Sequence, residues 1–258
     1  MVRASTGKRR RLPAYGDAMI ERQVDITTPD GVMTTFLKHP EHGGPFPVVL
    51  YLMDAPSIRP ALHDMASRLA TAGYYVMLPY LYYRGGPYRE FGASDEDMHA
   101  RRELMDTVNP TGILADGTAL LDFAAADEAA RDGKVGAVGF CMSGGLTIAL
   151  AKAMPDRIGA AASIHGAWLV RDGDDSPHLG LDTVQAEVYF AWCADDPTAP
   201  VSDLEVIEDA LKAAGVTYTI DFLTEAVHGF APAGERYHRE ASELHWERVH
   251  AMLRRNVD

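Results

Sequence analysis

Two cysteines occur in the 258-residue chain, and one of them, Cys141, stands where a thiol could act as a nucleophile. It lies in Gly139-Phe140-Cys141-Met142-Ser143-Gly144-Gly145, after the β-branched run Lys134-Val135-Gly136-Ala137-Val138 and before the apolar run Leu146-Thr147-Ile148-Ala149-Leu150-Ala151. A strand, a glycine-flanked turn and a helix can hold one side chain at the apex of a strained bend, because small neighbours permit the sharp reversal. A helix N-terminus behind a thiol also favours thiolate. The same pattern fits a small buried hydrophobe, so the chemistry depends on partners. A thiol nucleophile needs a base, and the base needs an orienting carboxylate. His228 in Glu225-Ala226-Val227-His228-Gly229-Phe230 is a candidate base. Asp195 and Asp196, between Trp192-Cys193-Ala194 and Pro197-Thr198-Ala199-Pro200, are candidate acids.

These residues need a scaffold that brings distant loops to one edge. Val24–Thr28 and Met33–Leu37 flank Pro29-Asp30-Gly31 and read as a hairpin. The unbroken apolar run Val48–Met53 reads as a central strand, and Asp54 follows it directly. Ala61, Leu62, Met65, Ala66 and Leu69 have helical spacing up to Gly73, and Tyr74–Leu78 is the next strand. Tyr80–Asn109 is rich in Tyr, Arg and acidic residues, and is expected to hold a loop and a helix over the sheet edge, as a lid would. Ile113–Ala124 predicts a longer helix, Ile158–Ile164 a strand ending at His165-Gly166, and Val188–Trp192 another. Leu204–Ala214 predicts a helix, Tyr218–Leu223 the last strand, and Tyr237, Ala241, Leu244, Val249 and Met252 an apolar stripe on a closing helix. Strands alternating with helices give an α/β fold with a mostly parallel central sheet and helices on both faces. Ligands bind beyond the carboxyl ends of such strands, where Asp54, Cys141, Asp195-Asp196 and His228 all fall.

Composition narrows the class. A 47% hydrophobic content is ample for a core, and 37 acidic against 24 basic residues, net charge −13, argues against a nucleic-acid surface. Two cysteines make no disulfide framework, so a reducing, cytoplasmic setting is expected. No apolar run approaches the ~20 residues of a membrane span. Residues 1–18, with Lys8-Arg9-Arg10-Arg11, read as a solvated basic arm without the apolar stretch of a secretory signal, and 19–258 as a single domain.

The order nucleophile, acid, histidine is that of the α/β-hydrolase triad. The chain resembles the dienelactone hydrolase family of α/β-hydrolases. The resemblance runs from about Val24 to the C-terminus and rests on Gly139-Phe140-Cys141-Met142-Ser143-Gly144, Asp196-Pro197-Thr198-Ala199-Pro200 and His228-Gly229-Phe230-Ala231. It implies a Cys141-His228-Asp196 triad acting on a small ester or lactone without a cofactor or metal. It selects Asp196 over Asp195, because the family's acid lies four residues before a proline, here Pro200. It implies that Asp54 modulates the resting thiol and that the Ala55 and Met142 amides form the oxyanion hole. Ser143 replaces a frequent glycine and would line the pocket or compete as nucleophile, although the strand-to-Cys spacing favours Cys141 as the apex. The family's carboxylate clamp uses an arginine where this chain has Pro232, and a second for which Arg101 and Arg102 are candidates; nearby aromatic residues become Met105 and Val108. Dienelactone itself is therefore a poor expectation, because an unpaired carboxylate is costly to desolvate.

The competing functions are a non-catalytic ligand-binding protein of the same fold and a Ser143-dependent esterase. His165 is expected to line the pocket or, more simply, to be a hydrogen-bonded structural residue, and Cys193 to belong to the core. His238, His245 and His250 are expected on an exposed helix with no metal-ligand grouping. Tyr82, Tyr83 and Arg84 would shape the pocket mouth or pack their loop. The oligomeric expectation is a monomer or homodimer.

Overall fold

A computed structural model describes residues 19–257; the basic arm expected at 1–18 lies outside the described residues. The hairpin is longer than its apolar residues alone predict. β1 (Met19–Thr28) and β2 (Gly31–Pro40) pair antiparallel over ten residues, closing at Thr28 and Gly31. Gly31 has φ +143°, a backbone conformation that side chains rarely adopt, so glycine suits this turn. The remaining strands are β3 (Val48–Leu52), β4 (Tyr75–Pro79), β5 (Val135–Phe140), β6 (Ile158–Ile164), β7 (Glu187–Asp195) and β8 (Tyr218–Val227). Together they form one eight-stranded sheet in the order β1-β2-β4-β3-β5-β6-β7-β8, in which β2 joins β4 antiparallel and all later pairings are parallel.

The central strands are apolar on both faces because both are covered. β3, β4, β5 and β6 are buried along their full lengths. Along β7, Val188, Phe190 and Trp192 pack with Ile207 and Leu211 of α5 (Val201–Ala214), whereas Tyr189, Ala191 and Cys193 join the cluster that contains Val249 and Met252 of α6 (Arg239–Asn256). That division is the period-two alternation of a strand between two helical layers. Truncating such a residue, Leu50→Ala for example, would cost about 2–5 kcal/mol.

The helices start and stop where the chain provides caps. α1 (Pro60–Thr71) and α3 (Pro110–Ala125) carry proline in the first turn, and Asn109 Oδ1 accepts from Gly112 N–H at 2.9 Å. α2 (Asp95–Met105) is capped by Ser94, whose hydroxyl accepts from Asp97 N–H at 3.1 Å. None of its residues is fully buried, Leu104 and Met105 pack part-buried against the core, and Met98, Arg101, Arg102 and Met105 line a hollow with Ala55 and Pro56. α4 (Gly144–Ala153) follows the Cys141 turn. α6 corrects one expectation: His245 is 1% exposed rather than on an exposed face. Ala241, His245, Val249 and Met252 share the buried stripe at helical spacing, and Leu244 is only partly covered.

Candidate active site

The site is built from the loops that follow β3, β5, β6, β7 and β8, all at the carboxyl ends of parallel strands. After β5 the chain turns through one 3-10 turn, Cys141–Ser143, before α4 begins. Cys141 is half-buried and holds φ +54°, a left-handed conformation rare for a residue with a side chain. The turn closes tightly only because its neighbours are small. A Cβ on Gly139 would lie 2.3 Å from the Ser143 carbonyl oxygen, and one on Gly144 would lie 2.4 Å from Ser163 Oγ. The Cys141 carbonyl accepts from Gly144 N–H and, at 3.0 Å, from Ala167 N–H in the loop after β6.

His228 follows the last residue of β8. Its Nδ1–H donates to Asp196 Oδ2 at 2.6 Å, the tautomer being fixed by the carboxylate, and it lines the same cleft as Cys141. Asp196 is buried just after β7. Its Oδ1 accepts from Thr198 N–H at 2.9 Å and from the Thr198 hydroxyl at 2.6 Å. Trp192 Nε1–H donates to Ala199 O at 2.9 Å and ties this loop to its strand. Burial alone would push the Asp196 carboxyl up, but the hydrogen bonds from His228 and Thr198 hold it below the ordinary carboxylate value. For His228 burial works against the charged form, yet the hydrogen bond to Asp196 and the proximity of Cys141 outweigh it and raise its pKa to about 10.

The other expected residues divide. Asp54, Ala55 and His165 line the same cleft as Cys141 and His228, a hollow of about 480 Å³. Asp54 is 4% exposed, and the Arg59 guanidinium grips both of its oxygens, at 2.6 and 2.8 Å. Burial pushes the Asp54 carboxyl above its ordinary value, and Arg59 opposes that shift. Ser143 is 0% exposed and its hydroxyl donates to Met53 O, so it does not line the pocket. That bond joins the Cys141 turn to the loop carrying Asp54 and Ala55, and explains why serine serves here. His165 is buried with both ring nitrogens unpartnered among the described residues, which corrects the expectation of a hydrogen-bonded histidine. Tyr82 and Tyr83 are buried and pack their loop. Tyr82 Oη–H donates to Ala55 O at 2.8 Å, bracing the segment that follows β3. Arg84 is fixed by Asp116 and Asp30, away from the cleft. Arg101 and Arg102 stand around a second hollow of about 190 Å³ that shares Ala55 and Pro56 with the first. Met105 and Val108 line a small pocket of about 90 Å³ with Met142 and Trp168.

Two residues that the motifs did not indicate also line the cleft. Arg59 precedes α1 in a proline-containing loop, and Arg236 lies eight residues beyond His228, past the buried Pro232. Arg59 falls five residues after Asp54, close enough for a loop to return it, but nothing in its sequence context marks it out. A larger hollow of about 780 Å³ between β1 and α3 carries none of the candidate catalytic residues. Among the described residues, no group of three or more His, Cys, Asp or Glu side chains is placed to hold a metal ion, and no helix is long and apolar enough to cross a membrane.

Sheet order, helical layers and the cysteine turn together define an α/β-hydrolase. The family model for the dienelactone hydrolase family matches residues 33–257, and the chain belongs to that family. It is thus a hydrolase of the carboxylic ester class. A Synechocystis protein named "putative carboxymethylenebutenolidase" is 29% identical over 222 residues, covering 84% of this chain and 89% of its own. A crystal structure described as a dienelactone hydrolase from Klebsiella pneumoniae superposes with a TM-score of 0.81 at 26% identity, covering 91% of this chain and 98% of that one. A dienelactone hydrolase-like promiscuous phosphotriesterase from metagenomic libraries, 22% identical with a TM-score of 0.75, covers 93% of this chain and 100% of that one and shares the fold.

Proposed function

We propose that the protein cleaves a small ester or lactone through a Cys141-His228-Asp196 triad and a thioester acyl-enzyme. The observation that carries this reading is the 2.6 Å bond from His228 to Asp196, with His228 lining one cleft together with Cys141 at its strained turn. His228 holds the thiol proton as an imidazolium beside the Cys141 thiolate, and the thiolate sulfur bonds to the ester carbonyl carbon. The Ala55 and Met142 amides receive the developing oxyanion, each such donor being worth about 2.7–4 kcal/mol. The carbon–oxygen bond to the alcohol then breaks, and His228 returns its proton to the departing oxygen. A water molecule gives a proton to His228 as its oxygen attacks the thioester, and the acid leaves with Cys141 restored. Asp196 keeps the imidazole in one tautomer and stabilises the imidazolium.

Charge within the cleft favours a neutral substrate. Asp54 and Glu235 face Arg59 and Arg236, and the Arg59 fork is already spent on Asp54, so no surplus of positive charge awaits a carboxylate. The pocket beside Met142 is walled by Met105, Val108 and Leu146 and offers an apolar seat to one side of the scissile bond. We place the enzyme in a reducing, cytoplasmic setting, working as a monomer or homodimer.

The test is turnover of p-nitrophenyl acetate by the full chain. Iodoacetamide and Cys141→Ala should each abolish it, and rapid quenching should trap a thioester on Cys141 by mass. Full turnover by Cys141→Ala would overturn the assignment.

A further inference from the structure

The turn after β6, residues 165–168, touches all three loops that carry the triad. Ala167 N–H donates to Cys141 O at 3.0 Å, and Trp168 N–H donates to Thr198 O at 2.8 Å. Thr198 in turn holds Asp196 by two hydrogen bonds. The ring of His165 meets that of His228 with centroids 5.1 Å apart and planes at 64°. His165 N–H donates to Ala191 O at 2.9 Å, which seats the turn against β7. His165 and Trp168 both lie in the left-handed region, with φ +38° and +53°. Strained residues of this kind persist where the surroundings over-determine them, and they cluster at functional sites.

His165 is 1% exposed, and neither of its ring nitrogens has a hydrogen-bond partner among the described residues. A phenyl ring would fill the same space without burying unpaired polar atoms, so packing alone does not explain an imidazole. Its other neighbours are the rings of Phe230 at 5.3 Å and Phe140 at 5.9 Å. The titratable groups that bear on it are His228 from the loop after β8, His245 from α6 and Asp196 from the loop after β7, with Cys141 on the same cleft. Burial first, then the positive charge of His228 and His245, keeps its pKa well below the ordinary histidine value. It therefore stays neutral while His228 takes up and returns a proton.

We propose that His165 is a positioning residue, whose neutral imidazole packs against the ring of His228 and fixes the rotation of that ring about its bond to Asp196. The inference rests on the Cys141-His228-Asp196 reading. An imidazole held to its acid through one nitrogen can still swing, and a displacement near 1 Å is enough to cost about 10²-fold in rate. The unprotonated nitrogen of a neutral imidazole also carries a lone pair that attracts a neighbouring imidazolium. Phenyl has the shape but not the lone pair.

The experiment compares His165→Ala and His165→Phe with the unaltered chain, with kcat and KM for p-nitrophenyl acetate followed across pH and Tm recorded for each variant. His165→Ala should lower kcat by about 10–100-fold with KM within about twofold, the signature of lost orientation rather than lost binding. His165→Phe should recover most of kcat. In both variants the alkaline side of the kcat/KM profile, where the His228 imidazolium loses its proton, should move to lower pH. The inference is overturned if His165→Ala keeps kcat within about twofold, if the loss falls on KM, or if activity falls only with Tm while the pH profile stays in place. Cys141→Ala is measured alongside. If it retains turnover, the triad reading itself fails; if it is inactive while His165→Ala behaves as the unaltered chain, only the assignment of His165 fails.

Discussion

Two buried carboxylates follow parallel strands at the same edge of the sheet, and they differ in what holds them. Asp54 follows β3 and Asp196 follows β7, each is 4% exposed, and each is gripped by a nitrogen base with contacts as short as 2.6 Å. Burial presses both upward, yet Asp54 ends above its ordinary value and Asp196 below it. Asp54 is enclosed far more heavily by protein atoms, so burial weighs more on it, and the donors differ as well. Asp196 accepts from His228 and twice from Thr198, whereas Asp54 relies on an Arg59 side chain that is itself 26% exposed. The partners also differ in kind. An imidazole can change charge within a catalytic cycle, whereas a guanidinium cannot at any ordinary pH. Similar exposure and equally short contacts thus leave one carboxylate held by a group that can change charge and one held by a group that cannot.

The comparison is most exposed to Asp196→Asn, which should lower kcat by about 10⁴-fold through loss of the correct imidazole tautomer. Asp54→Asn should stay within about tenfold, because Asp54 is bonded to Arg59 rather than to His228. Similar losses in the two variants, by steady-state kinetics on one ester, would erase the distinction. Arg59→Gln comes next. It leaves a buried carboxylate with one weak partner, and removing half of a buried pair costs about 3–5 kcal/mol. Because Arg59 is a quarter exposed, about 2 kcal/mol is expected here, read from the urea midpoint. Adding Asp54→Ala to Arg59→Gln should return much of that loss.

A pH titration of stability sharpens the contrast further. The folded-state pKa of His228 is raised from 6.5 to about 10, so the folded protein binds more protons than the unfolded chain between those values. Its stabilising contribution is fully present below pH 6.5 and is lost as pH rises through about 10. Urea midpoints should fall across that window, and His228→Gln should flatten the slope while Arg59→Gln leaves it in place. The smallest effect is expected for Ser143→Ala, which removes the bond to Met53 O and costs about 1 kcal/mol, with kcat nearly unchanged. A large loss of kcat in Ser143→Ala would instead return Ser143 to the chemistry.

Much of this arrangement is legible in the order of residues alone. Val48–Leu52, Val135–Phe140 and Ile158–Ile164 declare themselves as buried strands because no charged residue interrupts them and Ser163 is their one small hydroxyl. The polar residues immediately beyond each strand are then the natural candidates for the site. Strand ends are less legible. β8 runs four residues past Leu223, through polar residues that an exposed edge strand tolerates. His245 escapes a reading by polarity because imidazole counts as polar, although its spacing from Ala241 and Val249 places it on the buried stripe. The pairing of Arg59 with Asp54 cannot be read at all, since it depends on how a loop folds back rather than on period or motif. The donation from Ser143 to Met53 joins residues 90 positions apart and has no local trace.

The helix with no fully buried residue has a consequence for the history of such an enzyme. Because only Leu104 and Met105 of α2 pack against the core, the rest of its sequence can drift while the Tyr82 bond to Ala55 stays as it is. Met98, Arg101, Arg102 and Met105 of that helix stand at the mouth of the site. Substrate choice can therefore be rewritten on a part whose alteration the fold scarcely registers, and a lineage can try new esters without first having to rebuild its catalyst.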